Sequence, residues 1–107
     1  VRAKRSRLVL PKKEYKKLCD RVHQRDGWRC KVPWCKAREQ LNAHHITFRS
    51  QGGDDASYNM ITMCKRCHQA LHDRYIIIRP LRDGQEINAD EGVKWEFVNG
   101  WFPNRRQ

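Results

Sequence analysis

Apolar residues recur at helical spacing in the first quarter of the chain. Past Pro11, a residue suited to the first turn of a helix, Tyr15, Leu18, Cys19 and Val22 fall on one face and lysines and arginines on the others. Gly27 is the natural stop. Trp28 to Cys35 then reads as a tight knuckle, with Pro33 between its two cysteines. Gln40 to Ile46 reads as a short strand, Ser50-Gln51-Gly52-Gly53-Asp54-Asp55 as a loop of turn residues, and Met60-Ile61-Thr62-Met63 as the returning strand. A helix is predicted from about Cys64 to Asp73. Residues 75–81 and Val93 to Phe97 read as two more strands, with turn signals at Asp83-Gly84 and Asn99-Gly100. The predicted class is α+β: a strand-loop-strand-helix unit, preceded by a basic helix and followed by a short β-rich extension.

At 107 residues the chain is expected to form one domain over 11–107, with a basic tail over 1–10 that is disordered in isolation. It opens on Val1 rather than Met, which leaves the native start open. Apolar residues make up 38% and mean hydropathy is -0.97, lean for a globular core. A chain of this length buries only about 60–70% of its unfolded surface. A structural metal would compensate, because a cysteine site contributes on the order of 10–16 kcal/mol to folding. Net charge is +11, and it is uneven. Residues 1–29 carry 11 Lys and Arg against Glu14, Asp20 and Asp26, so this quarter supplies +8 of the +11. Such a block suits a polyanion, nucleic acid first; a merely soluble, charged surface is the plainer alternative. Lys12, Lys13, Lys16 and Lys17 are the candidate contacts on the helix. No segment reads as a signal peptide, and no apolar run approaches the ~20 residues of a membrane span.

Four of the five cysteines form two short-spaced pairs, Cys30-x4-Cys35 and Cys64-x2-Cys67. Two such turns, brought together by folding, can close a tetrahedral four-thiolate zinc site. Two disulfides or unrelated buried thiols are the alternatives, but a CxxC followed at once by His fits a reduced, metal-binding protein better. The zinc would anchor both ends of the 28-residue stretch between Cys35 and Cys64. Cys19 sits at a core-facing helical spacing and is expected as a buried free thiol.

The histidines are not needed for that site. His44 and His45 are consecutive on a predicted strand and so point to opposite faces. His68 and His72 are four apart on a predicted helix and share a face. Two imidazoles from one helical turn and one from a strand make an open cation site, with positions left for a phosphate oxygen and water. The run Leu41-x-x-His44-His45-Ile46, then Ser50-x-Gly52-Gly53, then Asn59-Met-Ile-Thr-Met-Cys64-x-x-Cys67-His68-x-x-x-His72 resembles the HNH nuclease family over roughly residues 28–73. With the lysine-rich helix before it, the chain resembles the small phage HNH endonucleases.

The resemblance implies a ββα-metal motif stapled by the four-cysteine zinc, and it implies roles for the matching positions. His45 would be the general base that deprotonates the attacking water. His44 would be the first metal ligand, where other members carry Asp. His68 would be the ligand on the helix, and His72 a further ligand that not all members use. Asn59 would brace the long loop and help to orient the base. The cation would be Mg²⁺, Mn²⁺, Ni²⁺ or Zn²⁺. Taken singly, several of these residues have plainer readings: His72 on a helix surface, Asn59 as a turn residue opening a strand. Arg49 is either a grip on the scissile phosphate or a solvated loop arginine, and Lys65 and Arg66 either touch DNA or face solvent. His23 is expected as an exposed helix residue. Trp95, Trp101 and Phe102 are expected in the core or a docking face rather than stacked on bases.

The implied function is a metal-dependent DNA endonuclease, nicking or cutting both strands and leaving 5′-phosphate and 3′-hydroxyl ends. Hydrolysis puts extra negative charge on the phosphate and the leaving oxygen, which a cation stabilises. An imidazole of ordinary pKa, about 6.5, can accept the proton of the attacking water. DNA would be held by largely sequence-independent backbone contacts. Two other readings fit part of the pattern. A non-catalytic, zinc-stabilised nucleic-acid-binding module would use the cysteines and the basic helix but not the histidines. An auxiliary subunit of a phage DNA-packaging complex, with a terminase as partner, follows from the resemblance to phage members. A cytoplasmic location, in a bacterial host if the gene is phage-borne, and no membrane partner are expected.

Overall fold

The computed structural model describes residues 8–103, so most of the tail expected over 1–10 lies outside the described residues. Helix α1 spans Lys12–Arg25. Pro11 stands just before it: its φ of -57° suits a helix, but its ψ of 154° keeps it extended. Gly27, with φ 73°, turns the chain away after the helix, as expected. Strands β1, Leu41–His45, and β2, Met60–Cys64, pair antiparallel. The loop between them carries two short 3-10 turns, Arg49–Gln51 and Ser57–Asn59. Helix α2, Lys65–His72, follows β2 directly, and the Cys64 sulfur caps it by accepting the Cys67 N–H at 3.5 Å. A second antiparallel pair, β3 Ile76–Pro80 and β4 Val93–Phe97, completes an α+β fold.

Strand β2 is the centre of the packing, and every residue in it is buried. Alternate residues of a strand face opposite sides. Met60 packs against Leu18 and Val22 of α1, and the Thr62 hydroxyl bonds His23 Nδ1 at 2.9 Å. Ile61 and Met63 face the other way, into the cluster of Cys30, Val32, Cys35, Cys64, Cys67, Ala70 and Ile76. Residues directly opposed across two strands share a face. The register pairs His44 with Ile61 and His45 with Met60. His44 is therefore sent toward α2 and His45 toward α1.

Four expectations need correcting. His23 is half-buried rather than exposed, because Thr62 bonds it and the Trp28 ring lies 5.1 Å away. Cys19 is only half-buried: Leu18 and Val22 fill the inner face of α1, and Cys19 sits at its rim. Burial still raises its thiol pKa. Arg25, one of the eleven charges in the basic block, is turned inward. It bonds both Asp26 carboxylate oxygens at 2.9 and 3.1 Å, the Ser57 and Met60 carbonyls at 2.8 and 2.7 Å, and Asp90 at 2.9 Å. Asp26 in turn accepts the Thr62 N–H at 2.9 Å, so the end of α1 is locked to β2 and to the C-terminal segment. Finally, residues 8–10 are anchored. Leu8 N–H donates to Asp54 at 2.7 Å, Leu10 N–H to Asp55 at 3.0 Å, and Asp55 N–H to the Leu8 carbonyl at 2.8 Å. Two loop carboxylates offer the arm acceptors that solvent would otherwise supply.

In the extension, Ile76 enters the core and Trp95 and Trp101 pack against it, in line with the expectation. Phe102 stays 43% exposed beside the rings of Trp34 and Phe97.

The loop after β1 crosses itself at Gly53, where an added Cβ would lie 1.8 Å from the Thr47 carbonyl oxygen. Gly52 has open space but a φ of 84°. Gly53→Ala is expected to cost about 3 kcal/mol or more, the upper range for overpacking, and Gly52→Ala about 1–2 kcal/mol for its left-handed backbone. Urea unfolding of the two variants measures the difference.

Candidate functional site

Cys30, Cys35, Cys64 and Cys67 are all buried, and their sulfurs lie within 4.8 Å of one another. All five cysteines are free thiols in this structure. The first pair is held by backbone: Cys30 N–H donates to the Ala37 carbonyl and Lys31 N–H to the Thr62 carbonyl of β2, at 2.9 and 3.0 Å. The second pair sits at the end of β2 and the first turn of α2. A hydrogen bond from Cys67 brings Cys30 down to about 5 against the effect of burial. Burial pushes Cys35 up to about 11, and the hydrogen bond to Cys30 together with burial pushes Cys67 up as well. Converging buried sulfurs that share negative charge suit a cation, and the donor set matches a closed tetrahedral site.

His44, His68 and His72 form a second group, with one ring nitrogen of each within 4.8 Å of the others. Strand β1 supplies the first and one turn of α2 the other two. The His44 ring lies 4.4 Å from His68 and 5.6 Å from His72 by centroid, and Nε2 of His68 and His72 are 3.0 Å apart. Phe48 walls the group, nearly parallel to His72 at 5.5 Å. His44 Nε2 is buried with no hydrogen-bond partner among the described residues. An unsatisfied buried polar atom costs about 1–3 kcal/mol, so its lone pair is suited to a ligand such as a cation. Burial, reinforced by the neighbouring histidines, lowers the His44 pKa to about 3, and burial also lowers His68. Neutral imidazole is the form that binds metal. The residues present therefore fit a divalent ion.

His45 faces the other way. Its Nε2 lies 2.8 Å from Asp55 Oδ1, and its ring is parallel to that of Tyr15 at 5.9 Å. The Arg49 guanidinium sits 4.7 Å above the Tyr15 ring, and its Nε is 3.3 Å from the same Asp55 oxygen. Burial alone would raise the Asp55 carboxyl, but Leu10 N–H, His45 and Arg49 together hold it below the usual range. Burial pushes the Tyr15 phenol up to about 12, so it stays protonated.

Asn59 is buried and laces the loop from inside. Its Oδ1 accepts the Thr47 N–H at 2.8 Å, and its Nδ2 donates to the Thr47 and Asp54 carbonyls at 3.0 Å each. These bonds end on Thr47, two residues on from His45, and on the backbone next to Asp55. Lys12, Lys13, Lys16 and Lys17 are all exposed on α1, and Lys65 and Arg66 are exposed beside the second cysteine pair.

The HNH endonuclease family model matches residues 28–74, a span that contains all four clustered cysteines and His44, His45, Asn59, His68 and His72. Anaredoxin of Nostoc sp. (strain PCC 7120) is 32% identical over 59 residues, covering 55% of this chain and 76% of that protein. The chain belongs to the HNH endonuclease family. A mutS homolog from Acanthamoeba polyphaga mimivirus, named for DNA mismatch repair, is 25% identical over 84 residues; the match takes in 64% of this chain and 8% of that protein. No solved structure matches. As an HNH chain it has a function of nuclease type.

In this HNH chain, sequence reading missed Asp55, Tyr15 and Phe48 as neighbours of the histidines. Asp55 reads only as one of a run of turn residues, and the two aromatics as helix core and loop. A strand that sends His45 toward α1 is the one signal that could have pointed to Tyr15.

Two changes test the scaffold. Cys67→Ala is expected to lose bound metal by elemental analysis, and with it the fold by circular dichroism. A structural site of on the order of 10 kcal/mol matches the whole stability of a small domain. Asn59→Asp removes both amide donors and sets a carboxylate against two carbonyls, so a loss of about 2–3 kcal/mol is expected in urea unfolding.

Proposed function

We propose that the chain is a metal-dependent DNA endonuclease, one domain over residues 11–107. In this reading His45 is the general base, and His44, His68 and His72 hold the catalytic divalent cation, Mg²⁺, Mn²⁺, Ni²⁺ or Zn²⁺. The four cysteines hold a structural Zn²⁺. The observation that carries the reading is the division of labour between adjacent histidines. His44 has a buried, unpartnered nitrogen among three imidazoles. His45, across the strand, is hydrogen-bonded at Nε2, which leaves the other ring nitrogen for a proton.

A divalent cation held by His44, His68 and His72 would supply positive charge where negative charge grows on the phosphate and the leaving oxygen. The protein supplies the rest. His45 takes a proton from water as the water oxygen bonds to phosphorus. The bond from phosphorus to the 3′ oxygen breaks, and that oxygen takes a proton from solvent, leaving 5′-phosphate and 3′-hydroxyl ends. Arg49, half-exposed and next to His45's partners, is placed to meet the phosphate. On a 100° helical wheel Lys12 and Lys16 fall about 60° and about 100° to one side of Tyr15, so basic residues border the site on that side. These lysines would grip DNA backbone without reading sequence. DNA as substrate is supported by the net charge of +11 and by the mutS homolog's name.

A reducing compartment such as the cytoplasm suits four free thiols in close contact. No helix among the described residues is long and apolar enough to cross a membrane. The phage-packaging role, with a terminase partner, rests on the resemblance alone. A non-catalytic binding module would leave the three-imidazole group without a purpose.

Supercoiled-plasmid cleavage by the wild type and by His45→Ala, each checked for metal content and fold, tests the reading. Nicking that needs an added cation, stops with EDTA and falls about 10²- to 10⁴-fold in the variant is expected. Salt-sensitive DNA binding without cleavage under any cation would favour the binding module. Equal cleavage by both proteins would remove His45 from the base role.

A further inference from the structure

We infer that Asp55 is the positioning residue for His45: its buried carboxylate holds the hydrogen on Nε2 and so leaves Nδ1 as the proton-accepting nitrogen. This rests on the reading of His45 as the base. The carboxylate is only 1% exposed and is fixed from three sides, by His45 Nε2 at 2.8 Å, Leu10 N–H at 3.0 Å and Arg49 Nε at 3.3 Å. An ionised carboxylate only accepts hydrogen bonds, so the ring nitrogen facing it must carry the hydrogen. In a neutral imidazole that puts the lone pair on the other nitrogen. The Tyr15 ring, parallel to His45 within 4°, limits the remaining rotation about the ring plane. The same carboxylate stands beside the ring as it gains positive charge on taking a proton from water, an arrangement that serves bases of this kind on other folds. Asp55 touches no reacting atom. It acts through His45, as a partner that fixes tautomer and orientation together.

Asp54, its neighbour, provides the control. Asp54 also anchors the N-terminal arm, through Leu8 N–H at 2.7 Å, and its other carboxylate oxygen accepts the Tyr58 hydroxyl, whereas the carboxylate bonded to His45 is that of Asp55. The experiment uses the full chain with its structural metal bound, at about pH 8, above the imidazole range. Long-range ¹H–¹⁵N correlation of the five histidine rings reads the tautomer of His45 directly. The wild type should show hydrogen on Nε2. Asp55→Asn, whose amide can present either oxygen or nitrogen, should give a mixed or reversed tautomer, with kcat for plasmid nicking down about 10²- to 10⁴-fold and KM nearly unchanged. Asp54→Asn should leave tautomer and kcat as they are.

A wild-type ring with hydrogen on Nδ1 overturns the inference without any variant. So does a kcat for Asp55→Asn equal to wild type, or an equal loss in Asp54→Asn with the tautomer intact, which would make Asp55 an anchor for the arm. If the wild type cuts no DNA with any cation but its Nε2 tautomer still depends on Asp55, the nuclease reading fails and the positioning stands.

Discussion

Convergence of four sulfurs from two chain segments is the constraint on which the rest of this molecule depends. The first pair lies on a knuckle with little regular structure, the second at the junction of β2 and α2. Joining them closes the chain on itself between Cys35 and Cys64, and both histidine strand positions lie inside that closure. Cross-linking of this kind favours the folded state in proportion to the chain entropy it removes. The need is plain from composition: a chain with 38% apolar residues and a charge of +11 has little core to offset its own repulsion. The core that exists is wrapped around β2, and four of the nine buried residues in its larger cluster are the cysteines. The cysteine cluster and the hydrophobic core are thus largely one object.

What the cluster fixes at one end, strand register transmits to the other. Cys64 pairs with Leu41, and three and four positions along the same ladder stand Ile61 opposite His44 and Met60 opposite His45. A slip of one residue would exchange the faces of the two histidines. The register is guarded on both sides: Ile61 and Met63 fit only the cysteine side, and Met60 and Thr62 only the side of α1. Arg25 and Asp26 add a polar lock, capturing the Met60 carbonyl and the Thr62 N–H of the same strand. Asn59 then fixes the loop that returns from β1, accepting once with its amide oxygen and donating both amide hydrogens, on Thr47 and Asp54.

Much of this is legible in the sequence. The two cysteine pairs, the adjacent histidines and the helical pair His68 and His72 use residue types that are rare and spacings that are short, so local geometry alone brings them together. The strands and helices fall within a residue or two of the expected limits because their periodicity is strong. The contacts that escaped reading are of another sort. Arg25 with Asp90, His23 with Thr62, and Leu10 with Asp55 join residues 39 to 65 positions apart. Each partner taken alone has a bland reading as surface charge, helix polar residue or turn former. Nothing in the spacing of Asp55 marks it as more than a loop residue, since its meaning comes from the face on which β1 presents His45.

The two adjacent histidines show how little local sequence fixes local chemistry. Both are imidazoles on the same strand, one residue apart, yet their surroundings demand opposite things of them. His44 is desolvated among two other imidazoles and Phe48, so a proton there is disfavoured and its lone pair is kept for a ligand. His45 meets a carboxylate at 2.8 Å and an aromatic face, which define its ring orientation. A hydrolytic centre of the type proposed needs both behaviours within a few ångströms. Two separate elements could supply them only with an accurate relative placement of those elements. A single strand supplies them through its pleat, because its period of two turns sequence neighbours into spatial opposites. The precision required is then that of one two-stranded ladder, and the buried β2 and the sulfur cluster at its end provide it.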